Sequence, residues 1–245
     1  RGILTSDKLF FVGEPVAIII SEKRAQGKDA AEAVIVDYDV LPALVDMEEA
    51  MTSSTLLYDT AGSNVAFDTM ILGIPDNTGD AYFEGCEVVV KARVLNQRVA
   101  PCPLEVRGSA VAWGPDGRLH QWLSTQGAQG AKDTIAKING VDGALVKVIT
   151  PDVGGGFGAK ISCDPEEALL GVLAKQVGRP LRWRETRSES MMVMGHGRAQ
   201  VQYVTVGGTR DGKVTHYQLH VIQDCGYFAE MGTILAPFMT RPMSS

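Results

Sequence analysis

The sequence predicts a mixed α+β protein, and three observations lead to this class. Residues 9–38 are apolar, then helix-forming, then apolar again, which indicates a β-α-β unit. Asp116-Gly117 and Asp211-Gly212 each separate two apolar runs and predict β-hairpins. A β-branched run in residues 144–151 leads into a glycine-rich stretch. Residues with a strong helix signal follow this stretch.

The first segment is predicted to be scaffold. Val16 to Ile20 is an apolar run after Gly13-Glu14-Pro15 and predicts a buried strand. Glu22 to Ala33 is rich in Ala and Lys and predicts a helix, and residues 34–38 predict a returning strand. A short acidic helix at residues 47–51, followed by Ser, Thr and Gly, indicates a domain boundary near residue 55.

The middle of the chain is predicted to be rich in strands. Residues 88–95 form one predicted strand, and residues 110–113 and 119–123 form a hairpin. Gln126 ends this hairpin and precedes a helix that Gly140 should terminate. Because small residues flank it, the Gln126 amide can point into a cleft and donate a hydrogen bond there, and the alternative that its spacing alone favours is a glutamine of a surface loop.

A second helix is predicted after the glycines. Asp164-x-x-Glu167 with Pro165 is typical of a capping box, so Glu166 and Glu167 are better explained as capping residues than as an acid–base pair. A strand at residues 181–184 follows. His216 and His220 share one face of a later predicted strand, but about 13 Å separates positions four apart, which is too far to chelate one ion.

The chain is organised around Pro151–Lys160, in which Gly154, Gly155, Gly156 and Gly158 surround Phe157. Glycines in such a loop allow bare N–H groups to approach a ligand closely. A P-loop is excluded, because Ala159 follows Gly158 where a lysine is required. Gly154-x-Gly156-x-x-Ala159 does satisfy the dinucleotide fingerprint, but the acidic residue that closes the next strand, Glu185, lies about 30 positions on instead of about 20.

Composition excludes several functions. The net charge of −6, without a basic cluster, argues against a nucleic-acid surface. No apolar run approaches the length of about 20 residues that a membrane span needs. The four cysteines are widely spaced, which predicts reduced thiols in a cytoplasmic protein and no zinc or iron–sulfur ligation by this chain.

Asp152-Val153-Gly154-Gly155-Gly156-Phe157-Gly158 resembles the pterin-contacting loop of the molybdenum hydroxylases, the xanthine dehydrogenase and aldehyde oxidase family, and above all of the large subunit of carbon monoxide dehydrogenase and its relatives. Other segments resemble that family in the same order along the chain. They are residues 11–17 and 36–42, which resemble the hammerhead domain, residues 97–108, and Ser124-Thr125-Gln126.

The resemblance implies a partial hammerhead domain at residues 1–55 and the first part of a molybdopterin-binding domain at residues 56–245. It implies a molybdenum–molybdopterin cofactor, in bacteria commonly the cytosine dinucleotide form, with FAD and iron–sulfur clusters on partner subunits. Gln126 and residues 155–158, which are Gly155, Gly156, Phe157 and Gly158, would contact the cofactor. The activity implied is oxidation of a small substrate, such as carbon monoxide, an aldehyde or a heterocycle, with oxygen derived from water.

The resemblance also assigns two residues to the substrate pocket, Ile161 and Arg187. Ile161 stands where the purine-processing relatives have a glutamate, which argues against a purine substrate. The alternative for Arg187 is a surface ion pair. The family's general base lies beyond the equivalent of Ser245, so the 245-residue chain is expected to be inactive without the missing part of its large subunit. A nicotinamide-dependent dehydrogenase and a non-catalytic assembly fragment remain the alternatives.

Overall fold

The computed structural model describes residues 4–5, 7–68, 79–229 and 233. It divides into two compact units, each built from two stretches of chain. The first contains Arg1–Ile35 and Ala100–His196, and the second contains Val36–Val99 and Gly197–Ser245. The predicted domains, residues 1–55 and 56–245, stay a prediction.

The first unit is built on a four-stranded mixed sheet. Its strands are β2 (Gly108–Trp113), β3 (Leu119–Leu123), β4 (Val146–Ile149) and β5 (Leu181–Arg184), in the order β4-β3-β2-β5. β2 is antiparallel to β3 and β5, whereas β3 and β4 are parallel. The predicted hairpin at Asp116-Gly117 is confirmed, since Trp113 pairs with Leu119 across it.

Two helices pack against this sheet and against each other, α3 (Ala128–Asn139) and α4 (Pro165–Val177). Both end at a glycine with positive φ, and Gly140 is the predicted stop of α3. Between the helices and the sheet lies an apolar core that includes Leu119, Ile135 and Ala168, each with no exposed surface. This core fixes the ends of the strands and the starts of the helices, and the loops of the candidate site connect them.

Two further helices belong to the first unit, α1 (Arg24–Glu32) and α5 (Arg187–Val193). α1 confirms the helix predicted between the two apolar runs. The prediction of two flanking strands is wrong, because residues 16–20 and 34–38 have no strand structure and form no ladder with any described residue. Strand propensity without a hydrogen-bonding neighbour does not make a strand, and Ile18, Ile20 and Ile35 are exposed.

The second unit is an antiparallel sheet of three strands with a short helix, α2 (Met47–Ala50). Its strands are β1 (Val88–Asn96), β6 (Gln200–Gly208) and β7 (Val214–Gln223), in the order β1-β6-β7. β6 and β7 form the hairpin predicted at Asp211-Gly212, with a register shift at Gly207/Gly208. The mixed class predicted from the sequence is therefore confirmed. No helix among the described residues is long and apolar enough to cross a membrane.

Candidate functional site

The glycine-rich loop lies in the first unit, between β4 and α4. Its backbone departs from the ordinary regions at three neighbouring residues, since φ is +96° at Gly155, +52° at Phe157 and +89° at Gly158. Glycine adopts such values without strain, but a phenylalanine does not. The Phe157 side chain is 74% exposed, so its own packing does not explain this conformation. A strained, exposed aromatic in a loop is typical of a binding site.

Gln126 lies directly against this loop. Its side-chain oxygen Oε1 accepts hydrogen bonds from the backbone N–H groups of Gly158 (3.0 Å) and Lys160 (3.3 Å). The space is so close that a Cβ on Gly156 would stand 2.2 Å from Gln126 Oε1. The predicted proximity of Gln126 to the loop is therefore present in the structure.

The orientation of the Gln126 amide follows from these two bonds. Two N–H donors require the carbonyl oxygen to face the loop, and the NH₂ group must point the other way. The Gln126 side chain is exposed, and its Nε2 donates to no acceptor in the described part of the chain. The two N–H donors of this NH₂ group are therefore available to a ligand.

The loop offers further donors. Across the described residues, the backbone N–H groups of Gly155, Gly156 and Phe157 donate no hydrogen bond, whereas the N–H groups of Gly154 and Gly158 are taken by side chains. Consecutive free backbone N–H groups form a concave surface that binds anionic or oxygen-rich groups. Together with the Gln126 NH₂, this donor set fits the oxygen and nitrogen acceptors of a pterin cofactor.

The two predicted substrate-pocket residues have different surroundings. Ile161 is half-exposed after the loop, and its carbonyl oxygen would lie 2.6 Å from a Cβ on Gly127. Arg187 donates to the carbonyl oxygens of Pro103 (2.6 Å) and Leu104 (3.0 Å), and its other terminal nitrogen lies 3.7 Å from Cys102 Sγ. It makes no ion pair among the described residues, so the surface-ion-pair alternative is not what the structure shows. A role of either residue toward substrate stays a prediction.

A buried charge cluster holds the start of α4. The Arg107 side chain is 2% exposed, and its guanidinium contacts the carboxylates of Asp164, Glu166 and Glu185. Burial opposes the charge on Arg107, but these three carboxylates outweigh it and raise its pKa. The Arg107 backbone N–H also donates to Glu185 Oε1 at 2.6 Å. This cluster ties β5 and α4 to the segment that precedes β2.

The cluster also excludes the dinucleotide interpretation of the loop. Glu185, the acidic residue that closes the next strand and that the fingerprint would use, is buried against Arg107 and is not available to a ligand. α4 begins at Pro165, beyond Ala159, so the glycines do not open the helix as that fingerprint requires. The surrounding sheet is mixed, not parallel throughout.

Glu167 is a capping residue, as predicted. Its Oε2 accepts from the Asp164 N–H at 3.2 Å, while Oε1 has no partner among the described residues. Burial, reinforced by the neighbouring Asp164 carboxylate, raises the pKa of Glu167 to about 8. The buried carboxyl is therefore protonated near neutral pH.

We expect this proton to make stability depend on pH. Between an unfolded pKa of 4.5 and a folded pKa of about 8, the folded chain binds a proton that the unfolded chain has lost. The free energy of unfolding should therefore fall as pH rises through this window. Glu167→Gln keeps the cap acceptor and should flatten the slope, which urea unfolding at pH 5, 6.5 and 8 measures. Asp164, whose pKa burial also raises, should leave a smaller slope of the same sign. An unchanged slope in the variant would contradict the assignment.

Two residues that bind the site segments together, Glu105 and Lys160, were not predicted from the sequence. Glu105 stands in the segment 97–108 that resembles the family, and Lys160 ends the stretch Pro151–Lys160, but nothing in their spacing predicts that they meet. Lys160 is 2% exposed, and its Nζ lies 3.0 Å from Glu105 Oε2. Opposite charges in two segments that the sequence already singles out, residues 97–108 and 151–160, are the signal that could have suggested this pair.

The fold and the site define a binding module in which a glycine-rich loop and a glutamine amide present one set of donors. The family model of the molybdopterin cofactor-binding domain matches residues 57–244, and the chain belongs to this family. The predicted resemblance is thereby confirmed.

Known proteins similar to this chain are large subunits of oxidoreductases. The carbon monoxide dehydrogenase large chain of Hydrogenophaga pseudoflava is 30% identical over 239 residues, covering 93% of this chain and 30% of that protein. The nicotine 6-hydroxylase large subunit of Paenarthrobacter nicotinovorans is 30% identical over 232 residues, covering 92% of this chain and 28% of that protein.

A solved structure has the same fold. The crystal structure of quinoline 2-oxidoreductase from Pseudomonas putida 86 superposes with a TM-score of 0.81 at 29% identity, covering 91% of this chain and 28% of that one. The chain spans less than a third of the length of each of these relatives.

Proposed function

We propose that this chain is part of the molybdopterin-binding large subunit of a molybdenum hydroxylase. The observation that carries the proposal is the orientation of Gln126, whose Oε1 is bound by Gly158 and Lys160 while its NH₂ is free among the described residues. The family relationship supports the cofactor, and the free N–H groups of residues 155–157 support the place where it would bind.

The residues that would hold the cofactor are Gln126, Gly155, Gly156, Phe157 and Gly158. When bound, the cofactor supplies two-electron oxidation–reduction chemistry at the metal. The protein's part would be to place fixed donors there: the Gln126 NH₂ would face the metal site, and the loop N–H groups would donate to acceptors of the pterin. Donors that are held before the reaction need no reorganisation during it, which is how such groups lower a barrier.

The substrate and the partners are part of the same proposal. The substrate is a small molecule, such as carbon monoxide, an aldehyde or a heterocycle, oxidised with oxygen derived from water. Ile161 and Arg187 would belong to the substrate pocket. Electrons leave through an iron–sulfur subunit and a flavin subunit, the remainder of the large subunit supplies the general base, and the assembly is cytoplasmic. The cofactor is the cytosine dinucleotide form.

Metal and pterin analysis of the complete assembly tests this function. We expect about one molybdenum per large subunit, a fluorescent oxidised pterin, and cytidine monophosphate on hydrolysis. Turnover is measured with a panel of aldehydes, heterocycles and carbon monoxide against a dye acceptor. A complete assembly that contains neither metal nor pterin would overturn the proposal in favour of a non-catalytic assembly role.

Two substitutions of Gln126 separate its two roles. Gln126→Glu keeps an oxygen for the Gly158 and Lys160 N–H groups but replaces the NH₂ donor with a second acceptor. We expect it to retain the cofactor and to lose about 10²- to 10³-fold in kcat. Gln126→Ala removes both functions and should lose cofactor as well.

Gln129→Glu is the matched control, since Gln129 is an exposed glutamine in the first turn of α3, shortly after Gln126. It introduces the same charge and should leave kcat and metal content unchanged. If Gln126→Glu and Gln129→Glu have equal kcat, Gln126 does not serve the reaction.

A further inference from the structure

Lys160 follows a glycine-rich loop, yet its side chain points into the protein. Its Nζ donates to Glu105 O (2.8 Å), Glu105 Oε2 (3.0 Å) and Ser124 Oγ (3.0 Å). An ammonium group has three donors, so all of them are used. Lys160 is therefore not a ligand-binding lysine of the kind that P-loops carry.

Glu105 joins the same contacts from the other side. Its Oε2 accepts from the Gly154 N–H (2.8 Å) and Ser124 Oγ (2.5 Å) in addition to Lys160. The Glu105 N–H in turn donates to Gly154 O at 3.2 Å. Burial opposes ionisation of Glu105, but the hydrogen bonds from Ser124, Lys160 and Gly154 outweigh it and lower its pKa. The Glu105 carboxylate therefore connects Ser124, which precedes Gln126, with Gly154 and Lys160 of the glycine-rich stretch.

The backbone of Lys160 completes the connection to Gln126. Its carbonyl oxygen accepts from the Gln126 N–H (2.8 Å) and Thr125 Oγ1 (2.9 Å), and its N–H donates to Gln126 Oε1. Lys160 therefore holds the backbone and the side chain of Gln126, while its own side chain is anchored on Glu105. Displacing the lysine would move the loop and the amide together.

We propose that Glu105 and Lys160 are positioning residues that form the glycine loop and orient the Gln126 amide before any cofactor arrives. This inference rests on the proposed function for the identity of the ligand, but not for the state of the loop. Glu105 and Lys160 would act through the segments that they connect. In metal sites, residues behind the direct ligands orient those ligands in the same way.

The test compares complete assemblies that carry Lys160→Met, Glu105→Ala or Glu105→Gln. We expect Lys160→Met and Glu105→Ala to lower molybdenum and pterin content about 10- to 100-fold. Glu105→Gln keeps the shape and one acceptor oxygen, so it should recover part of that loss. Lys91→Met is the matched control, because Lys91 pairs with Asp80 in the open at 2.8 Å and should show no effect.

Two readouts do not depend on turnover. In cofactor-free assemblies, hydrogen exchange at the amides of Gly154, Gly158 and Lys160 should be faster in Lys160→Met than in the wild type, because their acceptors are no longer held. In the fraction that still binds metal, the electron paramagnetic resonance spectrum of the reduced molybdenum should shift as the Gln126 donor moves. A merely stabilising residue would lower the yield without shifting this spectrum.

The outcomes separate the two proposals. Lys160→Met and Glu105→Ala assemblies with wild-type metal content, wild-type exchange and an unshifted spectrum would overturn the positioning role. A wild-type assembly without metal or pterin would instead overturn the proposed function. In that case the exchange rates of the three loop amides still decide whether Glu105 and Lys160 set the loop.

Discussion

Gly156→Ala should strongly lower cofactor binding and activity while leaving the chain folded. A Cβ at this position would lie 2.2 Å from Gln126 Oε1, 2.4 Å from its Cδ and 2.7 Å from its Cγ. All three atoms belong to an exposed side chain that can rotate away, so the clash is relieved by moving Gln126. The cost to folding is therefore small, but the amide leaves the position in which its NH₂ faces a ligand.

The measurement is molybdenum and pterin content of the complete assembly, with kcat where cofactor remains. We expect the product of cofactor content and kcat to fall about 100-fold or more, because one misplaced preorganised donor costs that much. Urea unfolding should give a midpoint close to that of the wild type. Wild-type cofactor content and kcat in Gly156→Ala would show that the position of Gln126 is unimportant.

Two other glycines provide the comparison. Gly130 lies in α3, where an added Cβ would meet no described atom within 4 Å, so Gly130→Ala should leave cofactor content unchanged and stabilise the helix by up to about 1 kcal/mol. A Cβ on Gly127 would meet the backbone oxygen of Ile161 at 2.6 Å, and a backbone oxygen cannot rotate away. Gly127→Ala should therefore destabilise the fold, where Gly156→Ala does not.

Arg107→Ala should cause the largest loss of stability among single substitutions in the first unit. It leaves the Glu185 carboxylate, which has no exposed surface, without its cation, and it unpairs Asp164 and Glu166 as well. Breaking a buried ion pair from one side costs about 3–5 kcal/mol. It also removes the stacking of the guanidinium on Trp183, whose ring centre lies 5.4 Å away.

The urea midpoint measures this loss, and Arg179→Ala is the matched control. Arg179 forms its ion pair with Glu22 on the surface, where such a pair contributes about 1 kcal/mol or less. Equal midpoints for Arg107→Ala and Arg179→Ala would mean that the buried cluster contributes no more to stability than a solvated pair. Since Arg107 does not touch the candidate ligand surface, cofactor loss in this variant should follow unfolding and not precede it.

Local signals predicted the elements that the chain completes with its own neighbours. Asp116-Gly117 predicted the β2–β3 hairpin and Pro165 the start of α4, because turn and cap chemistry acts over a few residues. The apolar runs at residues 16–20 and 34–38 were predicted as strands by the same composition rules and do not form them. A strand needs a neighbour with which to exchange hydrogen bonds, and composition does not supply one.

The candidate site likewise has one part that the sequence predicts and another part that it does not predict. The glycine loop, Phe157 and Gln126 could be selected from the sequence, because their residue types and motif order are unusual. Their contact could only be expected, and the direction of the Gln126 NH₂ could not be derived at all. It depends on two backbone donors that lie 32 and 34 residues away along the chain.

By itself, the sequence determined the mixed class, the hairpins, the helix ends and the loop around which the molecule is organised. Only the tertiary structure decided that Lys160 points inward to Glu105, 55 residues away, and that Glu185 neutralises Arg107, 78 residues away. The physical reason is that turns and caps are satisfied within a few residues, whereas a buried charge is stable only beside a partner that folding brings to it.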